Sequence, residues 1–75
     1  MRTSGPVYWL SPLRGCDVCD RDFLDIMYDA KTVGGPWGNL CEDCFKTGGV
    51  GLGVGLGQMY RRQPDGRFLC VEGLE

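Results

Sequence analysis

Short apolar runs separated by glycine or proline make up this chain of 75 residues. The apolar and aromatic content of Phe23–Tyr28 predicts a short strand, and Asp29–Lys31 predicts the turn after it. A return strand is expected to open at Thr32 and to be broken at Gly34–Pro36, because proline cannot donate to a strand ladder. Trp37–Leu40 then leads into the next element. The first half of the chain is therefore predicted to contain a β-hairpin.

A second hairpin is predicted near the C-terminus. Met59–Gln63 and Arg67–Glu72 flank Pro64–Gly66, where proline fixes φ and glycine accepts a positive φ. Near the other end, Val7–Leu10 lies between two prolines and predicts a short edge strand or an extended arm.

Residues 48–57 repeat Val-Gly-Leu-Gly, and the period of two favours a packed strand. Val50, Leu52, Val54 and Leu56 are expected to line one face, while bare glycines on the other face permit close approach of another backbone. The alternative is a docking edge for a partner strand. The run fits neither a dinucleotide-binding glycine motif nor a P-loop, so a phosphate site is not predicted.

Composition shows that apolar burial alone will not hold this chain folded. Its 43% hydrophobic residues form a small core, and 13 glycines raise the entropic cost of ordering the backbone. The chain has no histidine, which excludes catalytic triads and histidine-bearing zinc fingers and favours a binding module over an enzyme. No apolar run is long enough for a signal peptide or a membrane span, so we expect a cytoplasmic protein without a membrane partner.

The cysteines supply the missing stabilisation. Cys16 and Cys19 form one CxxC pair, Cys41 and Cys44 form another, and 21 residues separate the two pairs. This spacing points two thiolates from each pair at one ion and completes the tetrahedral four-thiolate shell that zinc prefers. Four protein ligands leave no position for a bound water, so we predict one structural zinc ion.

Two other uses of the pairs were considered. A dithiol redox pair requires a thioredoxin-like context, which a chain this short does not provide. A single iron in the same cage would make a rubredoxin-like electron carrier, but both pairs lack the Cys-Pro-x-Cys-Gly sequence typical of rubredoxins.

Cys70 lies outside the pattern and is interpreted as a small buried hydrophobe. Trp37 is the best candidate to pack over the cage, with an exposed recognition tryptophan as the alternative.

A short helix is predicted to open at the second pair. Glu42 and Asp43 suit its first turn, and Gly48–Gly49 is expected to end it. A cysteine knuckle, a hairpin and this helix together predict a small α+β domain of treble-clef or zinc-ribbon type. Within this single domain we expect an arm or edge strand (1–15), a four-cysteine zinc module (16–47), and the glycine-rich segment plus hairpin packed on it (48–75).

The charge distribution favours a protein partner. The chain has a net charge of −2, but residues 16–44 contain seven acidic and two basic residues, a net charge of −5. We therefore expect a protein–protein adaptor or modulator that meets a basic surface through residues 17–43 or offers a strand edge. The alternative is nucleic-acid binding by a set of cations with stacking aromatics. That set is Lys46, Arg61, Arg62 and Arg67, with Tyr60 or Trp9 stacking.

The segment Gly35–Cys44, then Gly49–Gly53, then Gly57–Tyr60 resembles a group of short zinc-binding proteins of tailed bacteriophages. In that group a CxxC knuckle precedes Gly-Pro-Trp, a second CxxC and a glycine-rich stretch ending in Gly-Gln-x-Tyr. The resemblance covers residues 16–60 and implies a phage origin, a bacterial host cytoplasm and a zinc site, with no settled activity. The Trp-x-x-Leu-Cys-x-x-Cys segment is also similar to GATA-type fingers, but the basic residues that follow the second pair in those fingers are missing here.

Overall fold

One antiparallel sheet and one helix form the described part of the fold. The computed structural model describes residues 7–10, 13 and 15–73; residues 1–6, 11–12 and 14 of the predicted arm and residues 74–75 lie outside the described part. The elements are β1 (Ile26–Lys31), β2 (Trp37–Leu40), α1 (Glu42–Gly48), β3 (Gly57–Arg62) and β4 (Phe68–Glu72). The strand order is β2-β1-β3-β4, and every neighbouring pair is antiparallel. The predicted small α+β class is therefore confirmed. Within the described residues, no helix combines the length and the apolar character that a membrane crossing requires.

The first hairpin exists, but its predicted turn is wrong. Asp29–Lys31 continues β1, which is a central strand and pairs with both β2 and β3. The turn lies after it, where the Thr32 N–H donates to the Pro36 carbonyl at 2.9 Å and the Thr32 hydroxyl donates to the same oxygen at 2.8 Å. Gly35 supplies the positive φ of 112° that this turn requires. The return strand therefore begins at Trp37 and not at Thr32.

The C-terminal hairpin is confirmed. The Gln63 N–H donates to the Arg67 carbonyl at 2.7 Å across the turn, and Gly66 has a φ of 90°. The arm meets this hairpin, because the Cys70 N–H donates to the Val7 carbonyl at 2.8 Å and the Trp9 N–H donates to the Phe68 carbonyl at 2.9 Å. Residues 7–9 thus lie along the outer edge of β4.

The glycine-rich run is a loop, so the predicted strand with one apolar face is wrong. Positive φ values at Gly51 (142°), Gly53 (134°) and Gly55 (83°) curl the chain instead of extending it. The Gly53 N–H donates to the Gly57 carbonyl at 2.8 Å and closes the loop, which leaves the Val54 side chain 71% exposed. The loop lies at the end of β1, where the Lys31 N–H donates to the Leu56 carbonyl at 2.9 Å.

The two faces of the sheet carry two hydrophobic clusters. Successive residues of β1 point to opposite faces of the sheet. Met27 belongs to the cluster that contains Cys16, and Tyr28 belongs to the cluster beneath α1. The Phe45 ring of α1 stacks on Tyr28 with centroids 3.9 Å apart and planes 4° from parallel. Cys44 packs against both clusters, so the cysteine pairs lie where the two cores meet.

Candidate metal centre

The fold brings the four predicted ligands together. The Sγ atoms of Cys16, Cys19, Cys41 and Cys44 all lie within 4.8 Å of one another. The Cys19 and Cys41 Sγ atoms are 3.7 Å apart. A tetrahedral shell with zinc–sulfur bonds of about 2.3 Å separates its sulfurs by about 3.8 Å, so this spacing fits one ion.

The first pair lies on a tight backbone knuckle. The Cys16 N–H donates to the Arg21 carbonyl at 2.8 Å, and the Asp20 N–H donates back to the Cys16 carbonyl at 2.9 Å. Asp20 has a φ of 65°, a conformation that aspartate tolerates better than most residues. Gly15 is required by space as well as by its φ of 110°, because a Cβ there would lie 2.9 Å from the Arg21 carbonyl oxygen.

The second pair lies at the start of α1, as predicted. Cys41 is the extended N-cap residue, and its carbonyl accepts the Phe45 N–H at 2.9 Å, which places Cys44 on the first turn. Asp17 of the knuckle joins this pair to the first. Its N–H donates to the Asn39 carbonyl and its carboxylate accepts the Asn39 N–H, both at 2.8 Å. The end of β2 therefore holds the Cys16–Cys19 pair and the Cys41–Cys44 pair in a fixed relative position.

Backbone N–H groups favour the thiolate form that binds metal. Burial opposes ionisation of Cys16, but N–H groups of Cys41, Cys19 and Val18 and the Cys44 thiol lower its pKa to about 6. The Val18 N–H donates to the Cys16 Sγ at 3.4 Å. Burial and hydrogen bonds with the other thiols raise the pKa of Cys44 to about 12. Deprotonated cysteine is the metal ligand, and four sulfurs this close do not all ionise without a cation between them, so binding of a divalent cation would release the proton that Cys44 holds.

The hydrophobic surroundings of Cys16 differ from those that the sequence predicts. Trp37 is 48% exposed on β2 and belongs to neither cluster, so the interpretation that it packs over the cage is wrong. Phe23 and Met27, which are 6% and 0% exposed, pack with Cys16 instead. Met27 could have been predicted as a core residue from the sequence, because every second residue of a half-buried strand faces the core. Cys70 is half-buried against the same cluster, and burial raises the pKa of its thiol.

The candidate nucleic-acid cations mostly have partners within the chain. Arg62 donates to the Phe23 carbonyl at 2.9 Å, Arg67 donates to the Asp65 carboxylate at 2.8 Å, and Lys46 pairs with a carboxylate of its own helix at 3.6 Å. Arg61 is exposed on β3. Three of the four candidate cations therefore already contact an acceptor within the chain.

The stacking aromatics proposed with those cations are packed against each other. Tyr60 is only 7% exposed, and Trp9 meets its ring edge-on with centroids 5.6 Å apart. The Trp9 indole N–H is buried as well. Tyr60 is therefore too buried to offer a ring face on which a nucleobase could stack.

The fold and the four thiols define a small α+β domain with a site for one metal ion. No protein-family model, curated protein or solved structure matches this chain. Its function is therefore argued from its own residues.

Proposed function

We propose that this protein is a non-enzymatic zinc module of treble-clef type that acts as a protein–protein adaptor, with the ion in a structural role. The observation that carries the proposal is the cage of four thiols within 4.8 Å of one another. A four-thiolate shell is closed to water and substrate, which favours a structural ion over a catalytic one. The chain order of knuckle, hairpin and helix opened by the second pair supports the treble-clef assignment.

Metal analysis of the purified chain tests the first part of this proposal. We expect a colourless protein with one zinc per chain, and a Co²⁺-loaded form with the visible absorption of tetrahedral thiolate coordination. A red protein containing one iron would instead support the rubredoxin-like alternative. A chain that retains no transition metal would overturn the zinc site itself.

The covered edges of the sheet favour the acidic surface over strand addition as the route to a partner. Residues 7–9 lie along the outer edge of β4. On β2, the N–H and the C=O of Asn39 that point away from the sheet are both hydrogen-bonded to Asp17. A partner strand needs unpaired N–H and C=O groups, and these contacts occupy several of them.

A groove beside the cage offers a more suitable surface. It has a volume of about 280 Å³ and is formed by residues 21–25 before β1, Ile26 at the start of β1, and residues 41–43 at the start of α1. Four acidic residues and one basic residue line it, and Leu24 in its lining is 79% exposed; the charged residues are Asp22, Asp25, Glu42, Asp43 and Arg21. Four thiolates around one Zn²⁺ add a formal charge of about −2 next to it. This arrangement favours a basic protein segment with an apolar side chain, and the resemblance to phage proteins suggests a host or phage protein as its source.

A matched pair of variants tests the groove. Metal-loaded wild type is used to capture proteins from bacterial lysate, and each captured protein is then titrated against both variants. Leu24→Ala with Asp22→Asn is expected to weaken binding about tenfold or more, because it removes an exposed apolar contact and a complementary charge. Val33→Ala with Glu72→Gln makes a comparable change at exposed positions outside the groove and is expected to bind like wild type.

Equal binding by both variants, or no captured protein at all, would contradict the groove assignment. Titration with short DNA and RNA at about 50 mM salt tests the nucleic-acid alternative. A complex that weakens steeply with added salt would support that alternative, because phosphate binding releases counterions.

A further inference from the structure

One ion pair joins the two halves of the cage through side chains. Arg21 ends the first knuckle, and Asp43 lies between the two cysteines of the second pair on α1. The Arg21 Nη1 lies 3.2 Å from the Asp43 Oδ2 and donates a hydrogen bond to it. Arg21, Cys41 and Asp43 are all among the residues that line the groove described above. The Arg21–Asp43 pair therefore links the knuckle to α1 close to the ligand Cys41.

The cage is buried on one side and open on the other. Cys16 is 1% exposed, whereas Cys19 is exposed and its Sγ lies 3.7 Å from that of Cys41. Reagents that attack thiolates, and chelators that replace them, react first at the accessible sulfur. The Arg21–Asp43 pair is also exposed, with the two side chains 68% and 73% exposed, and Arg21 follows Cys19 by two residues.

We propose that the Arg21–Asp43 pair is a latch on the open side of the metal centre and that Cys19 is the ligand at which the ion leaves. The pair holds the knuckle against α1, and the guanidinium offsets the negative charge of the nearby thiolates. Arg21 is thus a positioning residue that sets the rate of metal release. The inference rests on the proposed metal site, which the loading step of the experiment checks separately.

Metal transfer from loaded protein to an excess of a chromogenic chelator measures this rate. We expect Arg21→Gln to release zinc about three- to tenfold faster than wild type. Loss of an exposed ion pair alone accounts for up to roughly fivefold. Loss of the positive charge near two thiolates adds to this effect. Arg67→Gln is the matched control. It makes the same substitution in another exposed Arg–Asp pair, Arg67–Asp65 at 2.8 Å in the β3–β4 turn, and is expected to release zinc at the wild-type rate.

Two further variants separate a latch from a simple charge effect. Arg21→Lys keeps the charge and is expected to release zinc at a rate between wild type and Arg21→Gln, because an ammonium lacks the planar fork of guanidinium. Asp43→Asn breaks the pair but removes a negative charge from beside the cage. A latch predicts faster release from Asp43→Asn, whereas slower release would overturn the proposal.

Limited alkylation with N-ethylmaleimide, read by peptide mass spectrometry, identifies the exit ligand. Among the four cage cysteines, Cys19 is expected to be modified first, and faster in Arg21→Gln than in Arg67→Gln. First modification at Cys16, or equal zinc release by Arg21→Gln and Arg67→Gln, would overturn the latch. A wild-type chain that loads no metal would instead overturn the proposed zinc site.

Discussion

Chelation of the bound metal ion is expected to unfold this protein, and addition of zinc is expected to refold it. Four-thiolate zinc sites in small domains contribute roughly 10–16 kcal/mol, which is as large as the whole folding free energy of an ordinary domain, about 5–15 kcal/mol. The apolar cores are too small to replace that contribution: only nine hydrophobic side chains are buried among the described residues, and Cys16 is one of them. Loss of near-UV circular dichroism and of dispersed amide resonances on chelation would show the transition.

Two cysteine substitutions provide the matched control. Cys16→Ser removes a ligand that is both in the cage and in a core cluster, so this variant is expected to stay unfolded at any moderate zinc concentration. Cys70→Ser removes a half-buried thiol outside the cage, so it is expected to fold and to bind one ion. A Cys16→Ser chain that keeps the wild-type spectrum, or a chelated wild type that stays folded, would contradict a structural role for the ion.

Gly57→Ala is expected to lower the free energy of unfolding by about 1–3 kcal/mol, the usual cost of forcing extra volume into a packed site. A Cβ at position 57 would lie 2.7 Å from the Ala30 Cβ and 2.9 Å from the Gly51 carbonyl oxygen. Ala30 is fully buried on the central strand β1, and the backbone oxygen belongs to the loop that returns to β3. Neither atom can move without shifting backbone, so the sheet must separate locally.

Thermal unfolding at a fixed free zinc concentration measures this loss, since bound ligand shifts the melting temperature. For a domain of this size, each kcal/mol lowers the melting temperature by roughly 4–8 °C. Gly48→Ala is the control, because a Cβ at the end of α1 meets nothing within 4 Å. Replacing a helical glycine by alanine is favourable by about 0.5–1 kcal/mol, so this variant is expected to melt at or above the wild-type temperature. Equal melting temperatures for the two variants would rule out the close packing at Gly57.

The elements that follow from local chemistry were predicted well. Pro64–Gly66 specifies its own turn. The second CxxC, with acidic residues between its cysteines and a glycine pair a few residues later, specifies a short helix. The cysteine spacing likewise indicated one four-thiolate site, because two ligands three positions apart can converge on an ion only from a tight turn. The structure brings those four sulfurs together, each pair on the kind of element predicted for it.

The predictions that failed depended on which partner each segment meets. Asp29–Lys31 has the composition of a turn, yet it lies in a strand because pairing with β2 and β3 outweighs local propensity. The alternating glycine run looked like a strand, yet its glycines take positive φ values that alternation does not reveal. Trp37 has the size and apolarity of a core residue, but it lies at the start of an edge strand, and the smaller Phe23 and Met27 pack with Cys16 instead.

By itself, the sequence determined which four thiols form the candidate metal site, because ligand type and spacing are local properties. Only the tertiary structure decided which side of the cage is open, which cations are already paired, and that a groove with acidic walls lies beside Cys41. Exposure and charge pairing depend on which distant residues the sheet brings together, and a linear pattern of residue types does not contain that information.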